Sequence, residues 1–314
     1  MLSHFRRIGI YFSLLVLAVV PLIVKSPYYM HLLNMFGISI LLTIGLNIII
    51  GYGGQFALAQ AAFYAFGAYA SALLTIHTGM SFWMALVLSG IFTVLVGLFV
   101  GIPSLMVKGH YLAILTLGLA VVIHETILNW MELTKGPQGI TNIPQPDLFG
   151  FRFDTDHKYF YIIFIVTLLG ILFARKMIHS RTGRALVALR DSYIAAEAMG
   201  INTTYYKVLA FALSAFYAGI AGSLYAHLVT YISPEMGDVS ELLTVFAMMM
   251  LGGLGTTGGP ILGAAVITFG NEYLRVLGDL RMVFYGLMIL LLVIYLPNGL
   301  IVLWDRVRSR VLKD

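Results

Sequence analysis

The sequence predicts an all-α, polytopic integral membrane protein of about ten transmembrane helices, with an amphipathic helix on its cytoplasmic face. Three observations lead there. The 314 residues are 60% hydrophobic and 11% charged, with a mean hydropathy of +0.93; a soluble domain carries roughly 25% charged residues. The apolar residues fall in continuous blocks of bilayer-crossing length, about 17–25 residues, which excludes the short alternating segments of an outer-membrane β-barrel. The basic residues, finally, segregate to alternate connections. The 32 glycines, with many Ala and Ser, suit helices that approach closely in lipid.

Taken in order, the apolar windows give spans at 8–24, 30–50, 56–76, 82–102, 111–130, 159–176, 208–228, 241–256, 261–278 and 283–304. The opening "FRRIGIYFSLLVLAVVPLIVK" has a basic start like a signal peptide. Its apolar run is long and no small-x-small cleavage site follows, so it reads as a retained first span. The eighth and ninth spans are short and flank "LGGLGTTGGP", so one of them either crosses fully or re-enters. With the N-terminus inside, Lys and Arg favour the cytoplasmic side by about two to one. Asp147, Asp154, Asp156, Glu235, Asp238 and Glu241 all fall outside. Both termini are then cytoplasmic. The longest external segment, 131–158, reads as an ordered loop with a short hairpin, and 177–207 is the largest cytoplasmic loop. No linker divides the chain, so residues 1–314 read as one transmembrane domain.

Several functions are excluded or disfavoured. There is no cysteine, hence no disulfide, thiol catalysis or Cys-ligated metal, and no metal site is indicated. The net charge of +5 reflects membrane topology and gives no reason to expect nucleic-acid binding. A phosphate-binding loop requires a Gly-Lys pair followed by Ser or Thr, which the chain lacks; it does not hydrolyse ATP by itself. A membrane enzyme would need an interfacial His/Asp/Glu cluster, and His110 and the His124–Glu125 pair are too isolated. A proton-coupled carrier would need several buried titratable groups at mid-depth. Only Glu125 is a charge within a span, near its outer end, where it either lines a path or lies at the interface.

Two segments are chemically suggestive. In "NIIIGYGGQFALAQAAFYAFGAY" the glycines interrupt a helix, and Asn47, Gln55, Gln60, Tyr64 and Tyr69 supply polar groups. Such a break reads either as a passage lining or as a loop whose Asn and Gln bond neighbouring helices. The second, "SRTGRALVALRDSYIAAEAMGIN", spans 180–202. Gly183 reads as a turn point, after which Leu186, Leu189, Tyr193 and Ala196 recur at helical spacing. Arg184, Arg190, Asp191 and Glu197 fall mostly on other faces, and Gly200 suits a C-terminal cap. Such a helix lies on anionic lipid or docks in a partner's groove. Composition slightly favours lipid; the Glu197–Gly200 turn and the alanine spacing favour the partner.

Together with "KGHYLAILTLG", "LTKGPQGI", "FALSAFYAGIAGSLYA" and "MLGGLGTTGGPILGAA", these segments resemble the branched-chain amino acid ABC transporter permease family, most closely its LivM-type subunits, from about residue 30 to 304. The resemblance implies a bacterial inner-membrane importer. Its other components would be a second, LivH-type permease, two ATP-binding subunits that carry ATP and Mg, and an extracytoplasmic solute-binding protein. This chain would itself hold no cofactor. ATP-driven closure would pass through Gly183, Arg184, Arg190, Glu197 and Gly200. The candidate translocation pathway is Asn47, Gln55, Gln60, Tyr69 and Glu125. Substrates in the family are branched-chain amino acids, with urea, short amides or aromatic acids in relatives. Gln60 stands where many relatives carry His, and "LAVVIHE" lacks the Glu that many place near Val121; both departures bear on substrate identity.

Overall fold

The computed structural model describes residues 23–104, 110–148 and 150–274, with scattered positions at 15, 19–21, 280, 283, 286, 287, 290, 299 and 300. The expected spans 8–24 and 283–304 lie almost wholly outside these residues, as does the end of 261–278. What is described is overwhelmingly helical.

Helix α1, Pro27–Leu46, opens with Pro27 at its first position, where a missing N–H costs nothing. It runs directly into a π-helical turn, Asn47–Tyr52. Residues 54–59 are irregular and lead to α2, Gln60–Thr78, which stops at Gly79 with φ +65°. Then come α3 (Phe82–Ser104), α4 (His110–Asn129), the short α5 (Met131–Thr134), α6 (Asp156–Ile178), α7 (Arg181–Asp191), α8 (Tyr193–Ala198), α9 (Thr203–Val229), α10 (Val239–Gly252) and α11 (Gly259–Leu274).

Five of these helical stretches are long and apolar enough to cross a membrane: Pro27–Tyr52, Phe82–Pro103, Tyr111–Asn129, Asp156–Ile178 and Thr203–Val229. Two other expected spans differ, and 261–278 is described only as far as residue 274, helical throughout. The segment expected to be helical at 56–76 is an irregular strand of chain followed by α2, whose tyrosines and small residues leave it outside that set. Helix α10, at 14 residues, is about 21 Å long, shorter than a hydrocarbon core of about 30 Å.

The bundle is organised around α9, 27 residues long, which packs on α1, α2 and α3. Small residues make this possible, because apolar surface alone does not drive helix association in lipid. Gly67 of α2 faces Gly219 of α9, and Gly222 lies against the backbone of Tyr64 and Ala68. Helices α2 and α9 therefore run parallel and almost in backbone contact. Burial follows: 78% of the Pro27–Tyr52 window is buried but only 22% of Tyr111–Asn129. Helix α4 is thus left with a broad apolar face, including Tyr111, Ile114, Val121 and Val122.

At the end away from α7, the described residues of the connection 131–158 include short helical and strand elements. Strands β2 (Asp147–Leu148) and β3 (Phe151–Arg152) form a small hairpin around Gly150, φ +88°. Strand β1 (Ile140–Thr141) pairs antiparallel with β4 (Tyr231–Ile232). Trp83 Nε1 donates to the Asp147 carbonyl at 3.0 Å. His227, fully buried on α9, lies 2.6 Å by Nδ1 from the Pro144 carbonyl; Nδ1 must therefore carry the proton. Its Nε2 is left to accept from Ser71, 3.0 Å away, which in turn lies 2.7 Å from Ser223.

Candidate functional site

The break between α1 and α2 carries irregular backbone deep into the bundle. Gly53 and Gly54 release the chain from the π-turn, Gly54 with φ +65°. The segment 54–59 then follows α9 inward. Gln55 Nε2 donates to the Lys207 carbonyl at 3.4 Å, and the Leu58 N–H donates to Thr116 Oγ1 on α4 at 2.9 Å. Gln60 is held on both sides: it donates to the Leu42 carbonyl at 3.0 Å and accepts from Ser214 at 2.7 Å. Ser214 is eleven residues along α9, so α2 begins roughly 16 Å in from the start of that helix. Non-helical chain at such depth is tolerated only beside protein or a cavity. Here it is beside both.

The cavity is a narrow cleft of about 30 Å³, room for about one water. Leu58 and Ala61 line one wall, Leu117, Ala120, Val121 and His124 of α4 a second, and Gly237, Asp238, Val239 and Leu242 the third. Two helices start there. The N-terminus of α10 is capped by Asp238, which accepts from the Val239 N–H at 2.7 Å. That of α2 has Ala59 at its cap position and no side-chain cap, leaving first-turn N–H groups without the partner a Ser or Asp would supply. His124 Nδ1 stands 3.1 Å from the Pro234 carbonyl, fixing one rim to the turn before α10.

Helices α7 and α8 form the second feature. Ser180 accepts from the Thr182 N–H at 3.1 Å and starts α7 at Arg181, so Gly183 lies within the first turn of the helix and is not the turn point expected from the sequence. It is glycine because a Cβ there would overlap the Ile178 carbonyl. Nor is the helix continuous to Glu197. Ser192 adopts φ −159°, ψ 111° and caps α8 through the Ala195 N–H. Gly200, φ +78°, closes α8: the Ile201 N–H donates to Ala196 and the Gly200 N–H to Glu197, both at 3.0 Å, a Schellman arrangement. Leu186, Leu189 and Ala196 are buried. The opposite side presents Ile194 and Met199, 79% and 81% exposed, beside the exposed Arg184 and Glu197.

A third cluster joins these two. Asn47 in the π-turn is buried and bonds the loop between α10 and α11 twice. Its Nδ2 donates to the Thr256 carbonyl and its Oδ1 accepts from the Gly255 N–H, each at 2.9 Å. Arg190 of α7 donates through Nη1 to the Gly51 carbonyl at 2.9 Å, while Nε and Nη2 grip Asp191 at 3.1 and 3.0 Å. Gly54 rests on Arg190, where a Cβ would stand 2.9 Å from the Arg190 Cα, and one on Gly255 would meet the guanidinium at 2.6 Å.

The residues picked out by the sequence therefore separate. Asn47 and Gln55 sit near Arg190, Gln60 bridges α1 and α9, and Tyr69 is buried on α2 with its hydroxyl unpartnered. Glu125 is exposed and bonded by Asn129 at 3.0 Å; its neighbour His124 lines the cleft. Leu58, Ala61, His124 and Thr116 went unnoticed as site residues. Only the Gly-Tyr-Gly-Gly break signals where the first two lie. Among the described residues no three His, Asp or Glu converge as a metal site would require.

Residues 28–293 match the family described as branched-chain amino acid transport system, permease component. The chain is 34% identical to the high-affinity branched-chain amino acid transport system permease protein LivM of Salmonella typhimurium, over 92% of this chain and 73% of that protein. It is 33% identical to the Escherichia coli K12 protein of the same name, over the same shares. A shorter match, 29% identity over 36% of the chain and 38% of the relative, is to the ribose import permease protein RbsC of E. coli K12. No solved structure matches.

Proposed function

The chain belongs to the branched-chain amino acid transport permease family, and we propose how its geometry serves as the membrane-spanning permease of an ATP-binding-cassette importer. It is an integral membrane protein, and transport through it consumes ATP on other subunits of the system. Residues 1–314 form a single permease domain of about ten spans in a bacterial inner membrane, with both termini in the cytoplasm. Charge supports this orientation. Arg175, Lys176, Arg181, Arg184, Arg190 and Lys207 gather at the α7 end, and Asp147, Asp154, Asp156, Glu235, Asp238 and Glu241 at the other.

The observation that carries the reading is the uncapped, mid-depth start of α2 opening on the α4–α10 cleft. Its walls, Leu58, Ala61, Leu117, Val121 and Leu242, are apolar and suit an aliphatic side chain once they part, the cleft being only about 30 Å³ as it stands. The first-turn N–H groups of α2 supply partial positive charge for a carboxylate. Because the α4 face is exposed, a second permease subunit completes the passage by packing there. Helices α7 and α8 dock on an ATP-binding subunit: Ile194 and Met199 insert, Glu197 and Arg184 orient, and Gly183 and Gly200 shape the backbone. An extracytoplasmic binding protein delivers substrate to the opposite end.

Reconstitution of the complete complex in proteoliposomes tests this directly. Radiolabelled leucine, isoleucine or valine should accumulate only with ATP and binding protein present. Accumulation without ATP, or a preference for ribose or urea, would overturn the assignment.

A further inference from the structure

Two walls of the cleft connect to one point. Residues 54–59, whose Leu58 lines the cleft, leave the α7 end at Gly54, pressed on the Arg190 backbone. Helix α10, whose Val239 and Leu242 form the facing wall, ends at Gly252 beside the loop that Asn47 holds by two hydrogen bonds. Arg190 touches both routes: it donates to Gly51 one turn beyond Asn47 and lies against Gly255. The fourth residue from Asn47 must be glycine, since a Cβ on Gly51 would overlap Asn47 Oδ1 and stand 2.5 Å from the Gly255 nitrogen.

We propose that Asn47 and Arg190 are positioning residues that form a clasp, delivering movement of the α7–α8 unit to both walls of the cleft at once. The inference rests on the transport reading above and deepens it by naming the mechanical route. Arg190 grips the 54–59 side through its hydrogen bond to Gly51 but only rests against Gly255, with no hydrogen bond to that loop. Asn47, fixed in the π-turn and bonded to backbone atoms on both sides of the Gly255–Thr256 peptide, ties α10 to the same displacement. A π-turn suits this task because its looser hydrogen-bond ladder places functional groups off the regular helix path. Asn47 thus acts without touching substrate, at the cytoplasmic end and away from the cleft.

The chain has no cysteine, so Val121→Cys, on the cleft wall, provides a unique thiol in this subunit. In the assembled complex its labelling rate by a soluble maleimide should change between nucleotide-free and ATP-bound states. Adding Asn47→Ala should leave complex assembly and ATP hydrolysis by the partner subunits near the level of the parent while shrinking that nucleotide response by at least about fivefold, the lower range of measured coupling between sites. A nucleotide response that survives Asn47→Ala would overturn the clasp and leave the transport reading standing. Loss of assembly or hydrolysis along with the response would also overturn it, since Asn47 would then be merely structural. Absence of any nucleotide response in the parent would instead overturn the transport reading, and the clasp with it.

Discussion

Gly67→Ala is the sharpest probe of how α2 is held. The added methyl would overlap Gly219 Cα and stand 2.7 Å from the Gly219 carbonyl oxygen and 3.0 Å from its carbon. Non-bonded heavy atoms settle at about 3.5–4.0 Å, so α2 and α9 must part by about 1 Å. One turn further on, Ser71 bonds Ser223 at 2.7 Å and His227 at 3.0 Å, and both bonds would stretch out of range. Overpacking costs about 1–3 kcal/mol and an interhelical bond in a membrane about 0.6 kcal/mol, giving a loss of about 2–4 kcal/mol. Gly118→Ala is the control: on α4, nothing lies within 4 Å of the new methyl, and alanine is the better helix former. Thermal unfolding of the detergent-purified protein should show Gly67→Ala clearly below wild type and Gly118→Ala at or above it. Equal midpoints for the two variants would refute the close parallel packing of α2 on α9.

Three further outcomes follow from the same geometry. Gly200→Pro should abolish uptake while membrane insertion persists in fractionation, because proline cannot adopt the φ of +78° that closes α8. Thr116→Val removes the partner of the part-buried Leu58 N–H, a loss of about 1 kcal/mol; it should lower the unfolding midpoint and alter uptake through the displaced cleft wall. His124→Ala should reduce leucine uptake measurably, whereas Glu125→Gln, one residue away but outside the cleft lining, should leave initial rates near wild type.

The long spans are legible in the sequence because hydropathy over about 19 residues reports any apolar run of membrane-crossing length. The five apolar stretches correspond to the windows at 30–50, 82–102, 111–130, 159–176 and 208–228. Burial alone does not erase that signal, since 78% of the Pro27–Tyr52 window and 67% of Thr203–Val229 are buried; it only frees composition to follow packing. Helix α2 need not face lipid, so its composition follows packing on α9, and the window at 56–76 hides an irregular entry followed by a helix starting at Gln60. The hydrogen bonds of Gln60 to Leu42 and Ser214 depend on neighbours 18 and 154 residues away, which no local pattern contains. Gly183 misled for a related reason: a glycine demanded by the Ile178 carbonyl looks the same in sequence as one demanded by a turn. The sequence has glycine-rich stretches at 51–54 and 252–259, but only the folded chain brings Gly51 against Gly255.

The claim on which the rest depends is that α7 and α8 form a docking surface for an ATP-binding subunit. Mild-detergent purification of the tagged chain from its native host, with co-purifying proteins identified by mass spectrometry, measures it most directly. An ATP-binding subunit should accompany the wild-type chain and be lost on Glu197→Arg, with the rest of the protein still inserted. A chain that comes away alone, and transports in vesicles without ATP, would contradict the docking assignment.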